Sequence, residues 1–228
     1  MSEFVRLLST LALKGAVSAL AGRYTASGGT RIEADFAPTL ALLERMRAGE
    51  TADVVILTRE GLDEVVREGR VASESCVNLA RSYVGLGVRA GELHPDISTE
   101  PAFRAALLGA RAVAYSRLGA SGILFAKLIE QMGIASEIDA RAVIIPQGFT
   151  AERLVTGEAD LALQQISELK QVAGIEVIGP IPHQLQTPAV FSAGRMMASP
   201  KAAQADRLLR YLASPEVAPA LRESGLEP

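Results

Sequence analysis

The chain has one cysteine, two histidines and no tryptophan in 228 residues, and each scarcity removes a class of function. A lone Cys76 offers neither an internal disulfide nor a cysteine ligand set, and it reads as a small buried or partly buried thiol rather than a nucleophile. His94 and His183 stand far apart in the chain, so a histidine-based metal site is not expected. Aromatic residues make up 4%, too few for an aromatic cage or a base-stacking platform. Lys and Arg are scattered and the net charge is −3, which leaves nucleic acid outside the expected partners. No apolar run is long enough to span a bilayer. The motifs G-x-x-x-x-G-K-[S/T], G-x-G-x-x-G and G-x-S-x-G are absent from the strand-to-helix turns, and there are no internal repeats. The first residues lack a basic segment followed by a long apolar stretch and a cleavage site. The expected location is therefore cytoplasmic as the sequence stands, and periplasmic if a leader has been removed.

What is present is a rhythm of short apolar runs and helical patterns. Residues 4–8 read as a strand, followed by a helix to about Tyr24 with Ala16, Leu20 and Tyr24 at helical spacing. Residues 30–36 alternate weakly, Pro38 or Thr39 opens a helix over 40–48, and residues 52–58 form a third, more apolar strand ahead of a helix over 59–68. This order predicts a parallel sheet with helices on both faces. Past Val77 the texture changes. A strand over 83–88 carries two glycines, and a polar loop over 89–98 contains His94, expected to face solvent. Strands over 112–115, 142–145, 161–163 and 174–179 then alternate with helices over 99–108, 123–133 and 151–156. A proline-rich connector over 180–188, a last strand over 189–192 and two closing helices complete the reading.

The chemistry lies in the turns. Ser9 and Thr10 sit at a strand's end just ahead of a helix, where open α/β sheets place ligand groups. The stretch 113–127 reads as strand, small-residue turn and helix, with Ser116, Arg117, Gly119, Ser121 and Gly122 in the turn. Such a turn leaves helix N–H groups and the positive end of the helix dipole open to an anion. Ser121 serves equally well as a plain helix cap. Gln147 lies in a further turn before a helix, and Gln164, Gln165, Ser167 and Glu168 directly follow a strand. Two amides there suit a small polar ligand, or simply make a hydrophilic loop.

The turns Ser9-Thr10-Leu11, Phe36-Ala37-Pro38-Thr39-Leu40, Ala52-Asp53-Val54-Val55-Ile56, Ala120-Ser121-Gly122-Ile123 with Ala126-Lys127, and Gly157-Glu158-Ala159-Asp160-Leu161 resemble, over nearly the whole chain, the molybdate-binding periplasmic proteins of ABC importers. The resemblance implies an α/β, two-lobed, periplasmic-binding-protein-like fold, each lobe a mostly parallel sheet flanked by helices. Two crossovers are implied, near 78–83 and 182–187, with residues 1–80 and 188–228 in lobe one and 83–182 in lobe two. In that family an oxyanion is held by serines of the first and second turns, by backbone amides at a lobe-two helix start and by a late tyrosine. Those positions fall here at Ala12, at Pro38 or Thr39, at Ser121 and at about Gln165. The expected ligand is accordingly a small organic acid or oxyanion rather than molybdate specifically, bound without metal or cofactor. Ser9, Thr10, Pro38, Thr39, Ser121, Gln147 and Gln165 are expected to converge on it in a cleft, with Arg81 and Arg117 as charge partners unless they are solvated surface. Membrane subunits of an ABC importer are expected partners if the protein is exported. The segment 164–169 looks closer to a divergent branch of this family that includes aconitate isomerase. The alternative is thus a cofactor-independent cytoplasmic isomerase of a small polycarboxylate, with Glu168, Tyr115 or His183 as the base and none of them assigned as catalytic.

Overall fold

Short runs of Val, Ile and Leu become strands where both faces can be covered, and Val54–Thr58 and Leu161–Gln165 are buried at every position. The computed structural model describes residues 4–228; residues 1–3, with which the expected first lobe opens, lie outside the described residues. In chain order the elements are β1 (Phe4–Thr10), α1 (Lys14–Ala26), β2 (Arg31–Ala37), α2 (Thr39–Arg47), β3 (Val54–Thr58), α3 (Arg59–Arg67), β4 (Val77–Ser82) and β5 (Val84–Arg89). There follow α4 (Glu100–Gly109), β6 (Val113–Ser116), α5 (Ala120–Gln131), α6 (Ala135–Asp139), β7 (Val143–Ile145), α7 (Glu152–Val155), β8 (Leu161–Gln165) and α8 (Ile166–Leu169). The last are β9 (Ile175–Pro180), β10 (Ala189–Arg195), α9 (Ala202–Leu212) and α10 (Ala218–Glu223).

The chain packs as two units, one of residues up to Ser82 together with Ala189–Pro228, the other Tyr83–Pro188. Each holds one five-stranded sheet. The first has the order β2-β1-β3-β10-β4 and the second β7-β6-β8-β5-β9. In the first, β1 runs parallel to β2 and β3, while β10 is antiparallel to both β3 and β4. In the second, β6 runs parallel to β7 and β8, while β5 is antiparallel to both β8 and β9. Four of the five strands in each sheet therefore point one way. The reversed strand, β5 or β10, is the first one after the chain changes unit. It reverses because it begins at the carboxyl end of its new sheet: Val84 pairs with Gln165, and Ala189 with Ser82.

Helices cover both faces of each sheet, so each unit has two apolar layers. In the first unit, Leu7, Val17, Leu20, Ile56 and Leu208 mark one face, and Leu8, Leu42, Met46, Leu57 and Leu62 the other. In the second, Leu86, Phe103, Phe125 and Leu163 lie on one face, and Ala114, Leu154, Ala162 and Leu169 on the other. Residues 78–82, expected as connection, form strand β4, whose Arg81 exchanges backbone hydrogen bonds with Glu227 near the C terminus. The last strand runs on to Arg195 because it fills a central place, between β3 and β4. Helix α6 has no counterpart in the sequence reading; at five residues it is too short to show a helical period.

Candidate functional site

In the first unit the carboxyl ends of β1, β2 and β3 lie side by side, and each is followed directly by the start of a helix. Ser9 is fully buried and its hydroxyl donates to the carbonyl of Thr10 at 3.0 Å. Thr10 Oγ1 accepts from the N–H of Ala12 at 3.2 Å and caps a 3₁₀ turn over Leu11–Leu13. Pro38 is the N-cap residue of α2 and supplies no side-chain bond. The first bond inside that helix runs from Leu42 N–H to Pro38 O, so the N–H groups of Thr39, Leu40 and Ala41 have no carbonyl of their own helix. Thr39 is buried beside them, and a Cβ on Gly61 would lie 2.8 Å from its methyl, which brings the starts of α2 and α3 together. Thr58, a residue the sequence reading passed over, caps α3 through Gly61 N–H at 3.3 Å. Its signal was available, since it ends an apolar strand ahead of a helix, as Ser9 and Thr10 do. Arg81 stands on the far edge strand, three strand spacings or roughly 14 Å from β1. It is exposed, and its guanidinium lies 3.6 Å from the carboxylate of Glu227.

The second unit repeats the arrangement at β6, β7 and β8. Helix α5 starts after Gly119, which makes no side-chain cap, and its first internal bond is Ile123 N–H to Gly119 O. Ala120, Ser121 and Gly122 thus present N–H groups without a helical partner, and the Ser121 side chain is buried among them. Gly122 cannot be replaced there: a Cβ would fall 1.2 Å from the carbonyl oxygen of Ser116, so the bare backbone is what lets α5 start hard against the end of β6. Gln147 is exposed in the turn after β7, ahead of Gly148 at φ +89. Gln164 turns inward: its Oε1 accepts from Thr150 N–H at 2.8 Å and from Thr150 Oγ1 at 3.1 Å, and its Nε2 donates to Gly148 O at 3.0 Å. It holds the turn rather than projecting from it.

Gln165 and Glu168 close a reciprocal capping box on α8, in which the glutamine side chain accepts from the Glu168 N–H and Glu168 Oε2 accepts from the Gln165 N–H at 3.2 Å. Glu168 is buried, no cation among the described residues pairs with it, and burial pushes its carboxyl up to about 8. The neighbouring Ser167 hydroxyl is buried and has no hydrogen-bond partner among the described residues. Tyr115 donates to Asp139 at 2.5 Å, and Arg117 reaches both the Tyr115 hydroxyl at 3.3 Å and Asp139 at 3.1 Å. Burial, and then the Asp139 carboxylate, push the Tyr115 hydroxyl upward. Asp139 comes from the unexpected α6, which no sequence signal tied to Tyr115. His183 is exposed, edge-on to Tyr83 at 5.2 Å. Cys76 is half-buried and its thiol is pushed up by burial. Among the described residues no group of three or more His, Cys, Asp or Glu side chains is placed to hold a metal ion, and no helix is long and apolar enough to cross a membrane.

A family model described as bacterial extracellular solute-binding protein matches residues 5–227. The chain belongs to that family. This solute-binding protein is 36% identical to an aconitate isomerase of a Pseudomonas species, over 97% of this chain and 87% of the relative. It superposes on the periplasmic molybdate-binding protein of Azotobacter vinelandii with a TM-score of 0.82 at 16% identity, covering 97% and 98% of the two chains. The sulfate-binding protein of Mycobacterium tuberculosis gives a TM-score of 0.77 at 16% identity, over 99% and 86%. At such identities the structural likeness is one of fold, and the fold is that of the two-lobed periplasmic binding proteins.

Proposed function

We propose that this solute-binding protein takes a small organic acid with two or three carboxylates, and that an uncapped helix start of the kind that opens α2 in one unit and α5 in the other receives a carboxylate. The observation that carries the reading is the pair of uncapped helix starts, on helices of nine and twelve residues, each with a buried hydroxyl in its first turn, Thr39 or Ser121. Three N–H groups and a hydroxyl at each start match the lone pairs of one carboxylate. Each charge-assisted hydrogen bond contributes about 1.5–3 kcal/mol, so a few at each start support micromolar binding without a free arginine. The reading does not call on Arg81 and Arg117, each of which faces a carboxylate of its own unit. Delivery to the membrane subunits of an ABC importer is the role this reading gives an exported protein. A thermal-shift panel of citrate, cis- and trans-aconitate, sulfate and molybdate tests it. Stabilisation by the polycarboxylates, weakened in Thr39→Val and Ser121→Ala, is expected; stabilisation by molybdate or sulfate alone defeats the reading.

A second reading, isomerisation of such an acid, is favoured by Glu168 and by the aconitate isomerase relative. A carboxyl near 8 exchanges its proton at neutral pH. The Glu168 carboxylate takes a proton from the methylene carbon beside a substrate carboxylate, the C–H pair shifts along the three-carbon unit, and the same proton returns from Glu168 to the far carbon. The other candidate bases fit less well, because Tyr115 already donates to Asp139 and His183 faces water. The assay is the change in absorbance of aconitate with time. Turnover abolished in Glu168→Gln with binding retained supports this reading, and aconitate that binds unchanged leaves only the first.

A further inference from the structure

At the amino end of the second sheet, opposite the helix starts described above, β5 ends in a turn in which Glu92 N–H donates to Arg89 O at 3.1 Å and Gly91 holds φ +82. Leu93 follows at 94% exposure, the highest among the large apolar side chains described. The turn is pinned: the Glu176 carboxylate accepts from Gly91 N–H at 3.2 Å and pairs with His94 Nε2 at 2.7 Å. Beside it opens a cavity of about 540 Å³ floored by the buried side chains of Val88, Leu154 and Leu161, with Leu93, Arg89 and Glu92 among its lining. Both Arg89 and Glu92 are exposed, and among the described residues neither has an ion-pair partner.

An apolar knob, an apolar hole and two unpaired charges of opposite sign thus share one surface, which makes it complementary to itself. A two-fold rotation carries the Leu93 turn of each copy toward the cavity of the other and sets Arg89 against the other copy's Glu92, twice. A small ligand in the cavity would touch Leu93 only on the side that lines it and would leave the rest of this 94% exposed side chain in water, whereas a second copy covers it from outside as well. We propose that the protein self-associates through this face as a two-fold symmetric dimer.

The test is sedimentation equilibrium on the full chain. The wild type is expected to show a concentration-dependent dimer, and Leu93→Asp to weaken it at least tenfold. Arg89→Glu and Glu92→Arg are each expected to weaken it as well, because each homodimer then opposes like charges twice. An equimolar mixture of these two variants, and the double variant, are expected to associate as the wild type does, since both restore opposite charges at both contacts. Circular dichroism that superposes on the wild type confirms that the surface variants are folded. A wild type that stays monomeric up to about 1 mM, charge variants that associate like the wild type, or a mixture that fails to recover, overturns the proposal.

Discussion

Gln164 and Glu168 are both buried polar residues, yet the physics acting on them is opposite. Gln164 satisfies three groups of the turn after β7, so replacing it by leucine strands the buried Thr150 N–H and the Gly148 carbonyl. Gln164→Leu is expected to cost about 2 kcal/mol in urea unfolding, with the denaturant slope unchanged. Glu168 has one backbone donor and no cation, so the fold prefers it protonated. Its carboxyl rises from an ordinary 4.5 to about 8, so between those values the folded chain keeps a proton that the unfolded chain releases. The stability contributed by this group therefore falls as pH rises through that window and levels off above about 8. Glu168→Gln is expected to remove this slope and to be more stable than the wild type at pH 8.5; parallel stability curves for the two proteins would refute the assignment.

At the scale of elements, helix starts without caps are left so at some loss of stability, which makes α5 informative. Gly119 has φ −91 and a Cβ there would meet only the Ser121 hydroxyl, at an unstrained 4.0 Å, so its backbone would accept a capping residue. Gly119→Asp is expected to raise stability by about 1 kcal/mol, by accepting from the N–H groups of the first turn. It should also weaken binding of whichever acid stabilises the wild type most, because the new carboxylate occupies and repels the same position. Calorimetric titration beside thermal melts separates the two effects; higher stability with unchanged affinity would remove α5 from the site. Helix α3, capped by Thr58, offers no such opening, and the contrast between α3 and α5 is one that composition does not reveal.

At the scale of the molecule, the second unit is a continuous stretch of chain with its own sheet and both of its apolar layers, whereas the first unit needs both ends of the chain. Residues 83–188 expressed alone are expected to fold cooperatively, with dispersed amide resonances. Residues 1–82 alone should not, because β10 lies between β3 and β4 and its loss leaves β4 without a neighbour. The opposite result in either fragment would mean that the sheets are not the folding units.

The amino-acid sequence by itself determined the class of the fold and the places where chemistry gathers. Short apolar runs alternating with helical patterns admit few architectures other than a covered, mostly parallel sheet, and the hydroxyl- and glycine-rich turns mark the ends of its strands. The likeness of the turns to the molybdate binders led to the family, a likeness the whole-chain family match supports. Only the tertiary structure decided what each polar residue does there. Gln164 and Gln165 looked alike as outward amides, but one holds a turn and the other a capping box. Arg81 and Arg117 looked like free cations, but Glu227 and Asp139 lie against them. Glu168 became the buried acid because packing removed water and brought no cation, a balance set by residues distant in sequence. Local pattern reports where backbone N–H groups are left open; which side chains are already satisfied depends on long-range partners, which only the folded chain brings within hydrogen-bonding distance.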